Sequence, residues 1–180
     1  MMTTTPRLLS LLALLFASSL LGCGELVGGL AGGGAGVPSG SGNVSGKASG
    51  KDFTFTASKV DATYQGTAGG NNGDLSVFLA EGDSGGSGRQ VSLFAHGLET
   101  DIRNGHTYTI GRGANATVDS GGSDDAVSGE IVIESANLRV SGKAVGTFQL
   151  QLRSGGTVKG FFEAPFSAVS GASSSASAEN

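Results

Sequence analysis

Two histidines and two acids in the stretch HGLETDIRNGH are the residues whose types first suggest chemistry. If the stretch folded back on itself, their side chains would offer zinc the mixed nitrogen and oxygen ligands that it binds in proteins. The spacing of the four residues matches no recognised zinc site; they are His96, Glu99, Asp101 and His106. We therefore interpret the stretch as an exposed polar loop, and we predict no metal and no cofactor for the chain.

Ser84 lies in the stretch GDSGG, which resembles the surroundings of the nucleophilic serine in chymotrypsin-like proteases. That mechanism also needs a histidine base and an orienting acid, and in this family both precede the serine in the chain. Here both histidines follow Ser84, and too little chain precedes it to form the first barrel of that family. We interpret GDSGG as a polar hairpin loop. A secreted hydrolase that uses Ser84 with His96 or His106 is the alternative function.

Three other glycine-rich or acidic stretches also suggest binding sites. Residues 111–116 fit the pattern G-x-G-x-x-A of dinucleotide-binding turns. A dinucleotide site needs a following helix whose N–H groups face the pyrophosphate, whereas residues 117–122 favour strand and turn. Stretches 71–74 and 119–125 offer the oxygen ligands that calcium prefers, but neither has the EF-hand series. We predict no nucleotide site, and we interpret both acidic stretches as turns.

Residues 1–22 have the layout of a secretory signal peptide. Residues 1–7 carry one positive charge and no acid, residues 8–21 are a continuous run of apolar or small side chains, and Gly22 suits cleavage. A helix needs roughly 20 apolar residues to cross the hydrocarbon of a bilayer, and this run is shorter. The pattern predicts export and removal of the segment rather than a permanent membrane span.

The only cysteine of the chain, Cys23, follows this segment directly. A lone thiol in an oxidising compartment cannot form an internal disulfide, which suggests another role. Leu20, Leu21, Gly22 and Cys23 resemble the lipobox of bacterial lipoproteins. In that family the thiol receives a diacylglyceryl group, the signal is cut before the cysteine, and the new amino terminus is usually acylated. An ordinary signal peptide with an incidental cysteine is the alternative.

The resemblance to lipoproteins implies where the chain resides. Two or three acyl chains make a stable anchor, because each buried CH₂ contributes about 0.8 kcal/mol. The membrane would thus be a partner through covalent lipid on Cys23. By the sorting pattern of the family, Gly24 after the cysteine, in place of an aspartate, implies delivery to the outer membrane of the bacterial envelope.

Charge excludes one class of partner. Loss of residues 1–22 removes Arg7 and no acid, so 10 basic and 15 acidic residues leave the mature chain with a net charge of −5. A basic surface for nucleic acid is not visible in this composition, and no polybasic run follows the anchor. We predict no nucleic-acid partner.

Composition divides the rest of the chain into three parts. Residues 23–43 comprise the lipidated cysteine and a glycine-rich stretch that we predict to be a flexible tether, with a root-mean-square span of about 25 Å. Residues 44–169 are enough for one domain. Residues 170–180, SGASSSASAEN, are predicted to be a disordered tail rich in serine and alanine.

The pattern within residues 44–169 predicts an all-β domain. Short segments of alternating apolar residues are separated by glycine-rich turns, and no window has a helical period. We predict about nine or ten strands in an antiparallel β-sandwich, with a small β-barrel as the alternative. The alternating segments are 53–57, 62–64, 75–79, 91–95, 108–110, 116–118, 131–133 and 138–140.

The clearest unit in this pattern is a hairpin over residues 143–166. Phe148 and Leu150 share a face of the first strand, Val158 and Phe162 share a face of the second, and residues 154–156 can form the turn. A proline cannot donate to a sheet ladder, so Pro165 predicts that the second strand ends there at an edge or bulge.

Two short elements also resemble small all-β lipoproteins of uncharacterised function. Those chains carry a Gly-x-Thr-Tyr element and end in a Gly-Thr-Phe hairpin, which residues 105–108 and 146–148 match. Residues 160–162 read Gly-Phe-Phe where Gly-Thr-Phe is expected, so the match is partial. The resemblance supports the fold and implies no reaction.

Three phenylalanines fall on the face opposite the main apolar series of their strands: Phe78, Phe94 and Phe161. They would either pack under a second layer or form an exposed patch that contacts a ligand or a protein.

From these features together, we predict a lipid-anchored lipoprotein that is not an enzyme and whose domain is a structural or binding module.

Overall fold

Strands dominate the computed structural model, which describes residues 40–82 and 88–173. They make up 69% of the described residues, and helix makes up 5%, so the all-β prediction is confirmed. Several predicted features lie outside the described residues: the signal segment, the lipobox with Cys23, nearly all of the tether, Ser84 and the end of the tail.

Eleven strands and one short helix follow one another along the chain. They are β1 (Ser41–Ala48), β2 (Lys51–Asp52), β3 (Phe55–Thr56), β4 (Lys59–Gly66), β5 (Asn72–Ala80), β6 (Gln90–Leu98), α1 (Glu99–Asn104), β7 (His106–Ile110), β8 (Gly113–Asp119), β9 (Ser123–Ala136), β10 (Lys143–Leu152) and β11 (Thr157–Ser170). The count exceeds the prediction because β1 and β2 precede the first predicted segment, whereas the predicted segment 138–140 forms no strand.

All the strands belong to one mixed sheet, and eight of them form a ring. The order is β10-β9-β7-β8-β6-β5-β4-β11, and pairing of β10 with β11 closes it. β1 pairs with β11 and carries β2 and β3. The expectation of antiparallel pairing throughout is wrong at two places, since β11 pairs with β4 and β7 with β8 in parallel. Alternation reports the face that a residue occupies but not which strand lies beside it.

The core is built from one face of each strand, as the alternation predicts. In the predicted series 75–79 and 91–95, the first, third and fifth residues are all buried. The rings of Phe53 and Phe55 meet edge to face, with centroids 5.4 Å apart. Fully burying a leucine or phenylalanine contributes about 1.5–3 kcal/mol, so this face supplies most of the stabilisation.

The predicted hairpin over residues 143–166 is confirmed as β10 and β11. Its register places glycine opposite phenylalanine twice, Phe148 against Gly160 and Gly146 against Phe162. A Cβ on Gly160 would lie 2.6 Å from the Phe148 Cζ, and one on Gly146 would lie 2.7 Å from the Phe162 Cζ. Each glycine therefore leaves the space that the opposite ring occupies.

β11 continues past Pro165 to Ser170 because it changes partner at that point. On one edge it pairs with β1 as far as Glu163, and from Phe166 onward it pairs with β4. The prediction that the second strand of the hairpin ends at Pro165 is therefore wrong, although a register shift between Phe166 and Ala168 lies just after the proline. Pro165 lies where this edge of β11 changes from β1 to β4, so its missing N–H leaves no ladder hydrogen bond unmade.

Two other local predictions are wrong. Residues 137–142 form a loop rather than a strand, with Leu138 buried, Val140 60% exposed and Ser141 at φ 64°. The stretch interpreted as a polar loop contains α1, Glu99–Asn104, which is too short to show a helical period. In addition, β1 begins at Ser41 and Ser173 hydrogen-bonds to Glu99, so ordered structure extends a few residues beyond both predicted limits of the domain.

Candidate functional site

The three outward phenylalanines divide between two surfaces. Phe94 and Phe161 are 42% and 41% exposed, whereas Phe78 is half-buried with the Lys59 ammonium 6.0 Å from its ring centroid. Ser76 pairs with Phe94 in the β5–β6 register, which makes Phe78 a diagonal neighbour of Phe94 on the same face. Phe161 lies on β11, and the depressions beside Phe94 and Phe161 share no lining residue. The three therefore do not form a single patch.

A depression of about 690 Å³ lies on the outer face of β5, β6 and β8. Phe94 and His96 reach it from β6, and Asp74 from β5. Asn115 pairs with Phe94 in register and lines it from β8. Because strands rise about 3.3 Å per residue and lie about 4.8 Å apart, the polar side chains and the ring share a footprint about 10 Å across.

A tight turn between β7 and β8 forms another wall of the depression. Gly111 and Gly113 line it, with φ values of 83° and 81° that favour glycine. The Gly111 N–H donates to the Ala114 carbonyl at 2.8 Å, and the Arg112 N–H donates to the Thr109 carbonyl at 2.9 Å. The glycine motif at 111–116 is thus a strand-to-strand turn, and no helix follows it for a dinucleotide.

Asp74 and His96 form a hydrogen-bonded pair at the rim of the depression. They are directly opposed in the β5–β6 register, and the His96 Nδ1 lies 2.7 Å from an Asp74 carboxylate oxygen. An ionised carboxylate only accepts, so Nδ1 donates and the other ring nitrogen, Nε2, is left as an acceptor in the neutral ring. In the described part of the chain, this is the one side-chain hydrogen bond of His96.

The histidines and the attachment points of the Ser84 loop lie at opposite ends of the β5–β6 hairpin. The pair Asp74–His96 is six residues from the pair Ala80–Gln90, a separation of about 20 Å. Ser84 itself lies outside the described residues, which stop at Gly82 and resume at Gly88. At its other end, remote from Gln90, β6 is followed by α1, and His106 begins β7 after that helix.

The four candidate zinc residues do not share one site: His96 binds Asp74, Glu99 has partners outside the set, and only Asp101 and His106 lie near each other. The Glu99 carboxylate binds Arg103 and Ser173, and the Asp101 carboxylate is 4.0 Å from the His106 ring. Across residues 40–82 and 88–173, no three His, Cys, Asp or Glu side chains are grouped as a metal site requires.

One acidic stretch contains the turn that the sequence predicts. The Asp119 carboxylate accepts the Gly121 and Gly122 N–H groups, at 2.9 and 3.1 Å. One oxygen of this carboxylate, Oδ1, therefore holds the loop between β8 and β9, which is the role that acidic residues commonly have in turns.

The Phe161 depression is smaller, at about 340 Å³, and more polar. Asn43, Lys159 and Gln149 line it with the ring, from three neighbouring strands. It carries charges of both signs, Lys159 and Glu130. We regard the Phe94 depression as the better candidate because it combines larger volume with an exposed ring and an oriented polar pair.

No family model, curated protein or solved structure matches the chain. Among the described elements, the single helix is far too short to cross a bilayer.

Sequence reasoning selected Phe94 as a binding residue but did not connect it with His96, Asp74 or Asn115. In the sequence, Asp74 belonged only to a calcium candidate and Asn115 only to a glycine motif. Alternation could have placed both on the outer face, since their neighbours Leu75 and Ala114 point inward. Only the register, however, places Asp74 opposite His96 and Asn115 opposite Phe94.

Proposed function

We propose that the chain is a lipid-anchored bacterial envelope lipoprotein whose all-β domain is a binding module without catalytic activity, and that the Phe94 depression is its ligand site. The observation that carries the proposal is an exposed phenyl ring beside the Asp74–His96 pair, in a depression of about 690 Å³. Ligand pockets commonly have volumes of about 300–1,000 Å³, with apolar walls and a few oriented polar groups.

The position of the site on paired strands supports binding. Phe94 and His96 belong to β6, which is hydrogen-bonded to β5 on one edge and to β8 on the other. Sites on strands hold their side chains more closely than sites on loops. The separation of about 20 Å between His96 and the pair Ala80–Gln90, which flanks the segment with Ser84 in the chain, supports the absence of hydrolase chemistry. A serine nucleophile must be within hydrogen-bond reach of its base.

The lipid anchor is supported by the sequence alone. Leu20, Leu21 and Gly22 precede Cys23 as in the lipobox, and the apolar run before them suits export. The glycine-rich residues 24–39 then connect the anchor to the first described residue, Gly40. Outer-membrane delivery is part of the same proposal, because it follows from Gly24 by the sorting pattern of lipoproteins.

The binding function can be tested by screening a chemically diverse fragment library against the ¹⁵N-labelled full chain in detergent micelles. Fragments that bind should shift the amide signals of Gly111, Gly113 and Asn115. Phe94→Ala should abolish these shifts, while Phe161→Ala, which truncates an equally exposed ring at the other depression, should preserve them. If no fragment shifted these signals, the proposed ligand site would be wrong.

The anchor needs a separate test in a bacterial host. The wild-type chain should incorporate a labelled fatty acid, enter the detergent phase on partitioning and fractionate with the outer membrane. Cys23→Ser should remove the label and move the chain to the aqueous phase. An unlabelled wild-type chain that stays in the aqueous phase would contradict the lipoprotein proposal, and a labelled chain in the inner membrane would contradict only the outer-membrane assignment.

A further inference from the structure

The Phe94 depression combines an apolar surface with hydrogen-bonding groups, and its described lining residues include no lysine or arginine. Among its described lining residues, Asp74 and His96 are the only ones with ionisable side chains. From the juxtaposition of the exposed Phe94 ring, the Asp74–His96 pair and the Asn115 amide, we infer that the ligand is a neutral saccharide. This inference rests on the proposed binding function and names the ligand class for the same site.

The ring supplies the apolar half of this recognition. An aromatic face carries negative electrostatic potential and attracts weakly positive hydrogens. The C–H groups on one face of a pyranose ring provide such hydrogens over a flat area. Phe94 is 42% exposed, and its neighbours in register are the small polar residues Ser76 and Asn115, so a sugar ring can approach its face.

The polar side chains match hydroxyl groups. A sugar hydroxyl both donates and accepts hydrogen bonds, so it needs partners of both kinds. The Asp74 carboxylate accepts, the Asn115 amide donates and accepts, and the His96 Nε2 accepts in the neutral ring. Because the hydrogen bond to Asp74 at 2.7 Å orients the imidazole, the Asp74–His96 pair is arranged before a ligand arrives.

Charge argues against ionic ligands. An anion would lie close to the Asp74 carboxylate with no lysine or arginine among the described lining residues to offset the repulsion. A cation would compete with the imidazole for that carboxylate. Quaternary ammonium ligands are commonly held in cages of several aromatic rings, whereas one phenylalanine lines this depression.

The glycines of the β7–β8 turn leave room for the ring of a sugar. A Cβ on Gly111 would meet no atom within 4 Å, so the space beside this residue is open. The N–H groups of Gly111 and Arg112 already donate to Ala114 and Thr109. The two residues of the turn that line the depression, Gly111 and Gly113, thus carry no side chains, and hydrogen bonds to the ligand come from the side chains on the strands.

The inference can be tested with sugars that differ in charge. The full chain, ¹⁵N-labelled and held in a detergent without a sugar headgroup, is titrated with neutral oligosaccharides of glucose, galactose and N-acetylglucosamine. Glucosamine and glucuronate serve as charged analogues. At least one neutral oligosaccharide should shift the amide signals of Gly111, Gly113 and Asn115. Phe94→Ala should weaken its binding about tenfold or more, as expected for an aromatic residue at the centre of a site.

Two further variants make the test specific. Asp74→Asn keeps the size of the side chain but changes its hydrogen-bonding groups and the orientation of His96, so it should also weaken saccharide binding. Phe161→Ala should leave the affinity within about twofold of the wild type, because this ring lies at the other depression. Unchanged thermal melting of each variant would show that lost binding is not lost folding.

Two kinds of result would overturn the saccharide inference. If only the charged sugars bound, or if no sugar shifted these signals, the saccharide inference would be overturned. Fragments that bound in the separate screen would in that case still support a ligand site at Phe94. If neutral saccharides bound but the Phe94→Ala chain bound them equally well, the sugar would bind elsewhere and the inference would also be overturned.

Discussion

Ser173 and Glu99 are 74 positions apart in the chain, and Ser173 donates two hydrogen bonds to the Glu99 carboxylate, from its N–H at 2.9 Å and from its hydroxyl at 2.7 Å. Arg103 binds the same carboxylate through Nε at 2.7 Å and also donates to the Ser173 carbonyl at 3.0 Å. Glu99 is buried, so this network satisfies a charge that would otherwise destabilise the fold. It fastens the segment after β11 to α1.

The Glu99 network should make stability depend on pH in the acid range. Burial alone would raise the pKa of Glu99, but hydrogen bonds from Ser173 and Arg103 outweigh it and hold the pKa below the ordinary value of 4.5. Because the folded-state pKa is lowered, the stabilisation is complete above about pH 4.5 and is lost as the pH falls through the folded-state pKa.

Glu99→Gln should therefore lower the free energy of unfolding at pH 7 by about 1.5–3 kcal/mol, the range for hydrogen bonds to charged groups. It should also flatten the acid limb of the stability profile, measured by urea unfolding at a series of pH values. Glu130→Gln is the control, since Glu130 is exposed and has no ion pair among the described residues. A Glu99→Gln profile parallel to that of the wild type would contradict the role of this carboxylate.

The two tyrosines should resist ionisation in the folded chain. Tyr64 and Tyr108 are the only tyrosines of the sequence, and both are buried. Burial, followed by the charge of Asp101, raises the pKa of Tyr108 to about 12, and burial, followed by the charge of Glu99, raises the pKa of Tyr64. The unfolded chain binds fewer protons above pH 10, so stability should fall as the pH rises beyond that value.

Ultraviolet absorbance of tyrosinate, recorded with circular dichroism, checks this expectation. The absorbance should rise only well above pH 10, or together with loss of the β-sheet signal. A full rise centred on pH 10 with the circular dichroism unchanged would show that the rings are accessible to solvent. The chain contains no tryptophan to obscure the signal.

Adjacent phenylalanines on β11 should respond in opposite ways to truncation. Phe162 is fully buried and Phe161 is 41% exposed, because successive side chains of a strand point to opposite faces. Phe162→Ala should cost about 3–5 kcal/mol, the range for buried aromatics, and Phe161→Ala should cost less than about 0.5 kcal/mol. Urea unfolding of both variants measures the difference. Similar losses for the two would show that the register of β11 is wrong.

Glycine at position 160 should be necessary for packing. In Gly160→Ala the new methyl group would meet the Phe148 ring and the Asn43 carbonyl, so we expect a loss of about 1–3 kcal/mol from overpacking. Gly122→Ala is the matched control, because a Cβ there would meet no atom within 4 Å. Thermal unfolding should separate the two variants by several degrees. Equal melting temperatures would mean that the hairpin can rearrange around a methyl group.

Much of the strand content was readable before the structure. The series 75–79 and 91–95 predicted β5 and β6, since alternation with a period of two is a local property that survives in any sheet. The same alternation placed Phe94 and Phe161 on the outer face. Helix α1 and the loop at 137–142 were missed, because six residues show no helical period and two alternating apolar residues do not require a strand.

By itself, the sequence determined the all-β class, the inward faces and the β10–β11 hairpin, because each depends on residues close together in the chain. Only the tertiary structure decided that eight strands form a ring, that Asp74 meets His96 and that Phe94 and Phe161 line separate depressions. These relationships depend on strand order and register. Many long-range pairings satisfy the same alternation, so the choice among them is made by packing of the whole core.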